Sequence, residues 1–243
     1  TVNGFMGERY IEADGVAVGA GYGHRGWQFD LGVTPVNFDR FNIVGGLSWK
    51  RAFRDLALTI KISRRAVKES VLSFAGVSDP GTGRVWGAVV KQGGVVVLRH
   101  DGCNSRSYAV LDYKYLTGTD VASNHSLAAH LGLRWELNSN RSTRLETGIA
   151  VSAMAFERNL SGFTYGHGGY FSPQRFVHSG LPIDWRGNYK AVEWRLTLEP
   201  GVTWFQMDEA PCYPLASSAQ MSEPTMRHPG RESRGLGFDG GLE

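Results

Sequence analysis

The sequence lacks the features by which most membrane, nucleic-acid-binding and metal proteins are recognised. No run approaches the ~18 apolar residues of a spanning helix, and the net charge of +3 is too small and too dispersed for a nucleic-acid partner. The seven histidines and two cysteines show no metal-ligand spacing. We therefore expect no metal and no other cofactor. If the chain lies in a membrane, it must form a closed β-barrel, because lipid leaves no backbone group unpaired.

The sequence has instead a period-two alternation of apolar and polar side chains. In residues 191–205, AVEWRLTLEPGVTWF, the polar positions Glu193, Arg195 and Glu199 fall between apolar ones. Successive side chains of a strand point to opposite faces, so this pattern predicts a strand and not a helix. Pro200 lacks a ladder donor, and we expect a β-bulge there.

The same alternation recurs along most of the chain. It predicts about ten strands and no helix, with segments near 27–33, 41–49, 56–63, 93–100, 106–115, 127–136, 143–156, 176–185, 191–205 and 235–243. We interpret the set as an all-β fold, an antiparallel up-and-down transmembrane β-barrel. A soluble β-sandwich or soluble barrel also alternates, with its polar face in water, and is the alternative.

The connections between these strands are predicted to alternate in length. Short connections are expected near 50–54, 101–105, 138–142 and 186–188, and longer ones near 34–40, 74–92, 116–124, 157–175 and 207–234. Short turns on one side and long loops on the other are typical of outer-membrane barrels, whose short side is periplasmic. Cys103 then falls on the short side and Cys212 on the long side, so we predict that they do not form a disulfide.

Aromatic side chains near the strand ends are predicted to form two girdles. Trp194 and Trp204 are ten residues apart, and tilted strands of that length project to roughly 25 Å along a barrel axis. This is about the height of the lipid-facing band of an outer-membrane barrel. The predicted girdle residues are Trp27, Trp49, Tyr113, Tyr115, Trp135, Trp185, Trp194 and Trp204.

The opposite, polar face is predicted to line a water-filled lumen. Its residues are Gln28, Asp30, Lys61, Tyr108, Asp112, Lys114, His130, Arg134, Glu136, Glu146, Glu193, Arg195 and Glu199. Both signs of charge are interspersed, so no single-sign ring selects an ion, and the wall suits a neutral hydroxylated solute. For any one residue, a salt bridge that rigidifies the wall is the competing interpretation. Glu193 and Glu199 are too far apart for a glycosidase pair, at about 20 Å along one strand.

The stretch FTYGHGGYFSPQ, residues 163–174, is the strongest local signal and lies in a predicted outer loop. Its glycines free the backbone to turn sharply, and its aromatic side chains offer flat faces. Such a loop could fold into the mouth of the barrel and contact a sugar chain. An ordinary glycine-rich outer loop is the alternative interpretation.

Four segments together carry a family resemblance: YGHGGYFSPQ at 165–174, GWQFDLGVTP at 26–35, AGVSDPGTGRVWGAV at 75–89 and LTGTDVASN at 116–124. Through most of its length the chain resembles the C-terminal domain of the bacterial cellulose synthase operon protein C family. The resemblance marks as a family signature the loop residues Tyr165, Gly166, Gly168, Gly169, Tyr170, Phe171, Ser172, Pro173 and Gln174.

The resemblance implies an outer-membrane barrel through which newly made cellulose leaves the cell. In that family the barrel domain follows a periplasmic array of tetratricopeptide repeats in the chain. We expect a non-enzymatic export pore for β-1,4-glucan in the bacterial outer membrane. Its implied partners are the cellulose chain, outer-membrane lipid and, through the periplasmic repeats, the inner-membrane cellulose synthase complex. A general diffusion porin, a barrel exporting another exopolysaccharide and a soluble carbohydrate-binding β-protein are the alternatives.

The chain departs from the family pattern in two ways. No helical period of about 34 residues is visible in residues 1–243, so the repeat region is absent. The end, RGLGFDGGLE, begins like a strand and stops at Glu243. We expect residues 1–243 to be a single β-barrel domain that is incomplete at both ends, a fragment of a larger barrel. Open sheet edges are not tolerated in lipid, so this fragment is not expected to form a stable pore alone.

Overall fold

The computed structural model describes residues 15–38, 40–79, 83–140, 142–190, 192–215, 217–222 and 224–242. These residues form an all-β fold, and no helix among them is long and apolar enough to cross a membrane. The elements in chain order are β1 (Val18–His24), β2 (Trp27–Val33), β3 (Ile43–Phe53), β4 (Leu56–Ala66), α1 (Val71–Phe74), β5 (Val77–Ser78), β6 (Val85–Asp101), β7 (Ser105–Thr119), β8 (Val121–Ser139), β9 (Thr143–Phe156), β10 (Arg175–Gly180), β11 (Ile183–Tyr189), β12 (Val192–Met207), β13 (Ala210–Pro211), α2 (Ser217–Ser222), β14 (Arg227–His228) and β15 (Arg231–Leu242).

Nearly all strands belong to one antiparallel sheet. Its order is β1, β2, β3, β4, β6, β7, β8 and β9, followed by β10 and β11 side by side with β12, and then β15. β5 adds a short pairing to β6, and β13 and β14 form a separate two-stranded ribbon. Each long strand pairs with its neighbour in sequence, so short local connections suffice to build the sheet. The predicted all-β, antiparallel, up-and-down arrangement is confirmed at this level.

β10 and β11 together occupy one strand position between β9 and β12, with an interruption between them. Gly180 pairs with Gly201, and Ile183 pairs with Leu198, so the ladder skips two residues on each strand. Each skipped pair contains a proline, Pro182 or Pro200, which has no N–H to donate. β12 keeps an unbroken register with β15 through Pro200. The predicted β-bulge at Pro200 is therefore wrong, and the interruption falls on the neighbouring strand.

Two predicted long connections are shorter than expected. The loop predicted over 116–124 is wrong, because β7 and β8 extend through this segment and meet in a tight turn at Asp120. Asp120 has a φ of 46°, a left-handed conformation that aspartate tolerates better than most residues. The loop predicted over 74–92 ends early, since β6 begins at Val85.

Some elements were not predicted from the alternation. β1 is too rich in glycine to show it, and α1 and α2 are short helices inside connections where no helix was expected. α1 begins with a capping box, in which the Ser70 hydroxyl accepts from the Ser73 N–H and the Ser73 hydroxyl accepts from the Ser70 N–H. The turns predicted at 50–54 and 186–188 lie slightly later in the chain, because β3 and β11 are longer than expected.

The two ends of the sheet differ in their connections. The turns joining β1 to β2, β3 to β4, β6 to β7, β8 to β9 and β11 to β12 are short and lie at one end, here called the turn end. The connections from β2 to β3, β4 to β6, β9 to β10 and β12 to β15 are longer and lie at the other, the loop end. Cys103 lies at the turn end and Cys212 at the loop end, both as free thiols.

The two faces of the sheet carry opposite chemistry. On the outer face, apolar side chains are exposed, as shown by Leu131 at 58% and Ile62 at 63%. On the inner face, polar side chains are shielded, and Glu146 and Asp184 are only 3% and 6% exposed. A soluble sheet buries its apolar face and exposes its polar face, so this distribution is inverted.

The first and last strands of the sheet are open edges. Within the described residues β1 is paired only with β2, and β15 only with β12. An even number of antiparallel steps separates them, so β1 and β15 run in the same direction. Pairing them directly with each other would be parallel, unlike every other pairing in the sheet.

A small apolar core closes the loop end on the inner side of the sheet. It contains Val67, Val89, Leu116, Val121, Ala122, Leu160 and Tyr170, with Trp86 and Phe156 packed against it. Leu160 and Tyr170 come from the connection between β9 and β10, and the others from strands or from the end of β4. This connection, residues 157–174, is called the capping segment below.

Candidate functional site

The thirteen residues predicted to line a lumen all lie on the inner face. Residues paired across neighbouring strands lie on the same face of the sheet, so the register of the strands shows which residues share a face. Asp112 pairs with Ala128 on β8, and Glu136 pairs with Glu146, which in turn pairs with Asp184 on β11. The inner-face positions so placed are Gln28, Asp30, Lys61, Tyr108, Asp112, Lys114, His130, Arg134, Glu136, Glu146, Glu193, Arg195 and Glu199.

Glu146 is the centre of an ion-pair cluster near the turn end. Its carboxylate contacts Arg106, lies 2.8 Å from Arg144 Nε and lies 3.4 Å from Arg186 Nη2. Arg144 also pairs with Glu136 at 2.7 Å. Three guanidinium groups compensate one buried carboxylate, which offsets the cost of removing it from water.

Two further carboxylates of the inner face are held by arginine. Asp184 accepts from Arg195 Nη2 at 2.5 Å, and Asp30 accepts from two nitrogens of Arg65 at 2.5 and 2.6 Å. The Arg65 pair is bidentate, which fixes its geometry. Of the charged partners in these clusters, Arg65, Arg106, Arg144, Asp184 and Arg186 were not predicted; each lies on the inner-face alternation of its strand, a signal that could have found it.

Histidine and hydroxyl side chains form a row across the middle of the inner face. His130 Nδ1 lies 2.8 Å from Ser152 Oγ, and His178 Nδ1 lies 2.9 Å from Thr203 Oγ1. The register joins these four residues in one line perpendicular to the strands. His178 Nε2 also lies 3.8 Å from Glu199 Oε1.

The remaining predicted wall residues make few strong contacts. Gln28 accepts a hydrogen bond from Ser48 at 3.3 Å, and Lys114 pairs with Asp112 at 2.9 Å. The Tyr108 ring covers Gly132, where an added Cβ would come within 2.2 Å of it. Lys61 and Glu193 form no ion pair with any described residue, and Arg134 lies beside Asp184 and Arg195.

The capping segment folds back over the inner face instead of projecting from the sheet. Tyr170 is 2% exposed, and its ring packs 6.0 Å from that of Phe156. Leu160 N–H donates to Ser172 Oγ at 2.8 Å, and the Leu160 carbonyl accepts from Gly168 and Gly169. Burial raises the pKa of the Tyr170 phenol, opposed by its hydrogen bond to Asn124. The hydroxyl is therefore a permanent neutral member of this core.

Two glycines of the segment are required by its backbone. Gly166 has a φ of 93° and Gly169 a φ of 64°, in the left-handed region that favours glycine. A Cβ on Gly169 would also lie 2.9 Å from Ser70 Oγ and 3.0 Å from the Leu72 side chain. The close approach of α1 thus depends on the glycine run.

Histidine contacts attach the capping segment to the connection between β12 and β15. His167 is fully buried, and its Nε2 donates to the Pro211 carbonyl at 2.8 Å. Its ring lies 4.8 Å from that of His228, whose Nε2 lies 3.0 Å from Thr164 Oγ1. Burial lowers the pKa of His167, reinforced by repulsion from His228 and opposed by hydrogen bonds to backbone carbonyls.

Three phenylalanines form an aromatic group beside the capping segment. Phe171 packs edge-on against Phe176 at 6.1 Å and Phe205 at 5.2 Å between ring centres. Phe176 and Phe205 are cross-strand partners on the inner face, and Phe171 remains 36% exposed. The backbone N–H of Phe171 donates to Glu69 at 2.6 Å, which fixes its position. The remaining signature ring, Tyr165, packs against Trp86.

The predicted girdle residues lie on the outer face in two groups. Near the turn end, Trp27 faces Trp49 and Trp185 faces Trp194, with ring centres 6.1 and 4.9 Å apart, and Trp135 lies opposite Ser105. Towards the loop end are Tyr113 and Tyr115, which contact His125, and Trp204, whose Nε1 donates to Glu232 at 2.9 Å.

Comparison with known proteins places these features in a family. A family model described as the C-terminus of cellulose synthase operon protein C matches residues 6–242. The chain belongs to this family. It is similar to cellulose synthase operon protein C of Xanthomonas axonopodis pv. citri (strain 306), with 36% identity over 221 residues, 89% of this chain and 15% of that protein.

Other cellulose synthase operon C proteins show the same relation. The protein of Pseudomonas fluorescens (strain SBW25) is 34% identical over 227 residues, 92% of this chain and 18% of its own length. That of Escherichia coli (strain K12) is 28% identical over 245 residues, 98% of this chain and 21% of its own. The chain thus spans about a fifth or less of the length of these relatives.

Proposed function

We propose that the chain forms part of an outer-membrane pore that exports cellulose, a β-1,4-glucan, in bacterial cellulose biosynthesis. The observation that carries the proposal is the inverted sheet, with exposed leucine and isoleucine on the outer face and the Glu146 cluster on the inner face. Lipid accommodates the first surface, and a water-filled interior accommodates the second. We take cellulose as the exported polymer because the relatives share the name cellulose synthase operon protein C.

The two aromatic groups support a membrane position. Tryptophan and tyrosine prefer the two lipid–water interfaces, because each has an apolar ring and a polar tip. Trp194 and Trp204 bracket the exposed apolar stretch of β12. Lipid would also require partners for the open edges of β1 and β15, which supports a larger barrel to which residues 1–243 contribute one domain.

The chemistry of the inner face supports a neutral glucan as the solute. Most charges of β8, β9, β11 and β12 are tied in ion pairs, while the histidine–hydroxyl row offers further hydrogen-bonding groups. Phe171, with Phe176 and Phe205, offers aromatic surface where a sugar ring could stack as it passes the capping segment. In this proposal the pore binds and guides but catalyses nothing.

The proposed setting includes three partners. The cellulose chain contacts the inner face, outer-membrane lipid contacts the outer face, and the inner-membrane synthase complex connects through periplasmic tetratricopeptide repeats of the parent protein. The turn end then faces the periplasm, since short turns lie on that side in outer-membrane barrels. The capping segment lies at the cell surface, where it controls the exit.

The test is linkage analysis of polymer outside cells with and without the parent gene, in a strain whose glucan synthase is intact. The proposal expects loss of extracellular β-1,4-glucan with retention of glucan inside the cell. Unchanged extracellular polymer, with conductance of the purified protein independent of glucan, would favour a general diffusion porin. Partition of the parent protein into the soluble fraction would favour a carbohydrate-binding β-protein.

A further inference from the structure

The charges of the inner face are mostly ion-paired on β8, β9, β11 and β12, whereas several on β3, β4 and β6 form no ion pair with a described residue. On β9 and β11 the carboxylates of Glu146 and Asp184 each contact arginine. Along β1, β2, β3, β4, β6 and the β1–β2 turn, by contrast, a cleft of about 640 Å³ opens at the turn end. Its charged lining consists of Arg25, Lys50, Lys61 and Arg99, beside His24.

Among the residues that the structure describes, no carboxylate lines this cleft. Within the described part of the chain, Lys50, Lys61 and Arg99 form no ion pair, and the register places all three on the inner face. Of the described inner-face carboxylates on these strands, neither Asp30 nor Asp101 forms an ion pair with the three cations. Asp30 is held by Arg65, and Asp101 lies beyond Arg99 at the end of β6.

Unpaired cations on one concave wall make the local potential positive. A low-dielectric wall focuses that potential into the cleft, which raises the local concentration of anions. Hydrogen-bonding groups also converge there, because Gln28, Ser48 and Thr59 share the lining. These neutral groups can bind the oxygens of a carboxylate or phosphate, or the hydroxyls of an attached sugar.

We propose that this basic cleft binds anionic groups, carboxylate or phosphate, on solutes that enter the inner face from its turn end. It makes the pore favour anions, and it retains a glucan that carries acidic substituents longer than a neutral one. The route of the solute rests on the proposed function, whereas binding of an anion by Lys50, Lys61 and Arg99 does not.

The first experiment measures binding to the full-length parent protein in neutral detergent. The probes are a cello-oligosaccharide oxidised to carboxylate at C6, the matching uncharged oligosaccharide, and inorganic pyrophosphate. We expect the carboxylated sugar to bind more tightly than the uncharged one, and the difference to shrink as salt rises from low to high concentration. Binding of pyrophosphate alone would identify a site for free anions, and preference for the carboxylated sugar over both would identify an acidic polymer.

Variants assign the binding to the cleft. Lys61→Glu should abolish the preference for the carboxylated sugar. Lys61→Gln removes the positive charge without adding a negative one, so it should weaken the preference less. Arg175→Glu changes the charge equally but lies at the loop end, outside the cleft, so it should retain the preference. Equal loss in Arg175→Glu, or no preference in the unaltered protein, overturns the proposal.

Reversal potentials in planar bilayers under a KCl gradient provide a second measurement. We expect chloride to permeate better than potassium, and Lys61→Gln to lower the permeability ratio roughly fourfold, because removing one charge about 10 Å from the ion path in water shifts each of the two ions about twofold in opposite directions. A cation-selective unaltered pore contradicts the inference. Anion binding in a parent protein that exports no glucan would refute the proposed function and leave this inference intact.

Discussion

The side-chain amide of Asn124 pairs with the main chain of Arg158 as a neighbouring strand would. Its Nδ2 donates to the Arg158 carbonyl at 2.8 Å, and its Oδ1 accepts from the Arg158 N–H at 3.0 Å. The same Nδ2 lies 3.2 Å from the Tyr170 hydroxyl. One fully buried amide on β8 therefore holds the capping segment near both of its ends.

Asn124→Ala should loosen the capping segment. The change leaves part-buried main-chain groups of Arg158 and the buried Tyr170 hydroxyl without a partner, at a cost of about 2 kcal/mol. Hydrogen exchange of peptides covering 157–174 in the parent protein should accelerate accordingly. Asn140→Ala is the control, because Asn140 caps an exposed turn at the opposite end. Unchanged exchange in Asn124→Ala would show that the other contacts of the segment hold it without this amide.

The sequence predicted that the capping segment is an unusual loop, but it did not predict the path of that loop. Its glycines and aromatic residues indicated a special loop, but alternation does not extend into it, so nothing showed whether it projects or folds inward. The deciding contacts join it to Asn124, Glu69 and Pro211, which are distant in sequence. Strand periodicity, in contrast, is a local property, and it predicted the inner-face residues of most long strands.

Glu146→Gln should destabilise the protein more than Glu136→Gln. Neutralising Glu146 leaves Arg106, Arg144 and Arg186 around an uncharged group, at a cost of about 2 kcal/mol, since these arginines partly reach solvent. Glu136 is more exposed and pairs with Arg144 alone, so its loss should cost under about 1 kcal/mol. Urea midpoints of the parent protein in detergent measure both. Equal urea midpoints for the two variants would mean that Glu146 is no more strongly coupled to its three arginines than Glu136 is to Arg144.

Acid should loosen the attachment of the capping segment to the β12–β15 connection. Burial lowers the pKa of His167 below its ordinary value of about 6.5, so the folded segment resists a proton that the open segment accepts. Its contribution to stability is complete above that ordinary value and is lost progressively as the pH falls below it. Hydrogen exchange of 157–174, corrected for intrinsic rates, should rise between pH 7.5 and 5.5. His167→Gln should lose this dependence, and a persistent dependence would assign it to other groups.

Phe171→Ala should weaken the interaction with glucan. If the exposed ring stacks on sugar, its loss should lower cello-oligosaccharide affinity of the parent protein roughly fivefold. Phe163→Ala is the matched control, because Phe163 lies in the same segment, is 63% exposed and is absent from the Phe171 group. Equal losses of affinity in the two variants would mean that the capping segment as a whole, and not the Phe171 ring, is responsible.

The two cysteines should report the orientation of the sheet in the membrane. Cys103 is exposed at the turn end, and Cys212 is buried at the loop end. A polymer-linked maleimide too large to cross the outer membrane should leave Cys103 unmodified in intact cells and modify it after the membrane is permeabilised. Cys212 should react slowly in both conditions, and faster once Asn124→Ala opens the capping segment above it. Rapid modification of Cys103 in intact cells would reverse the orientation and place the basic cleft at the cell surface.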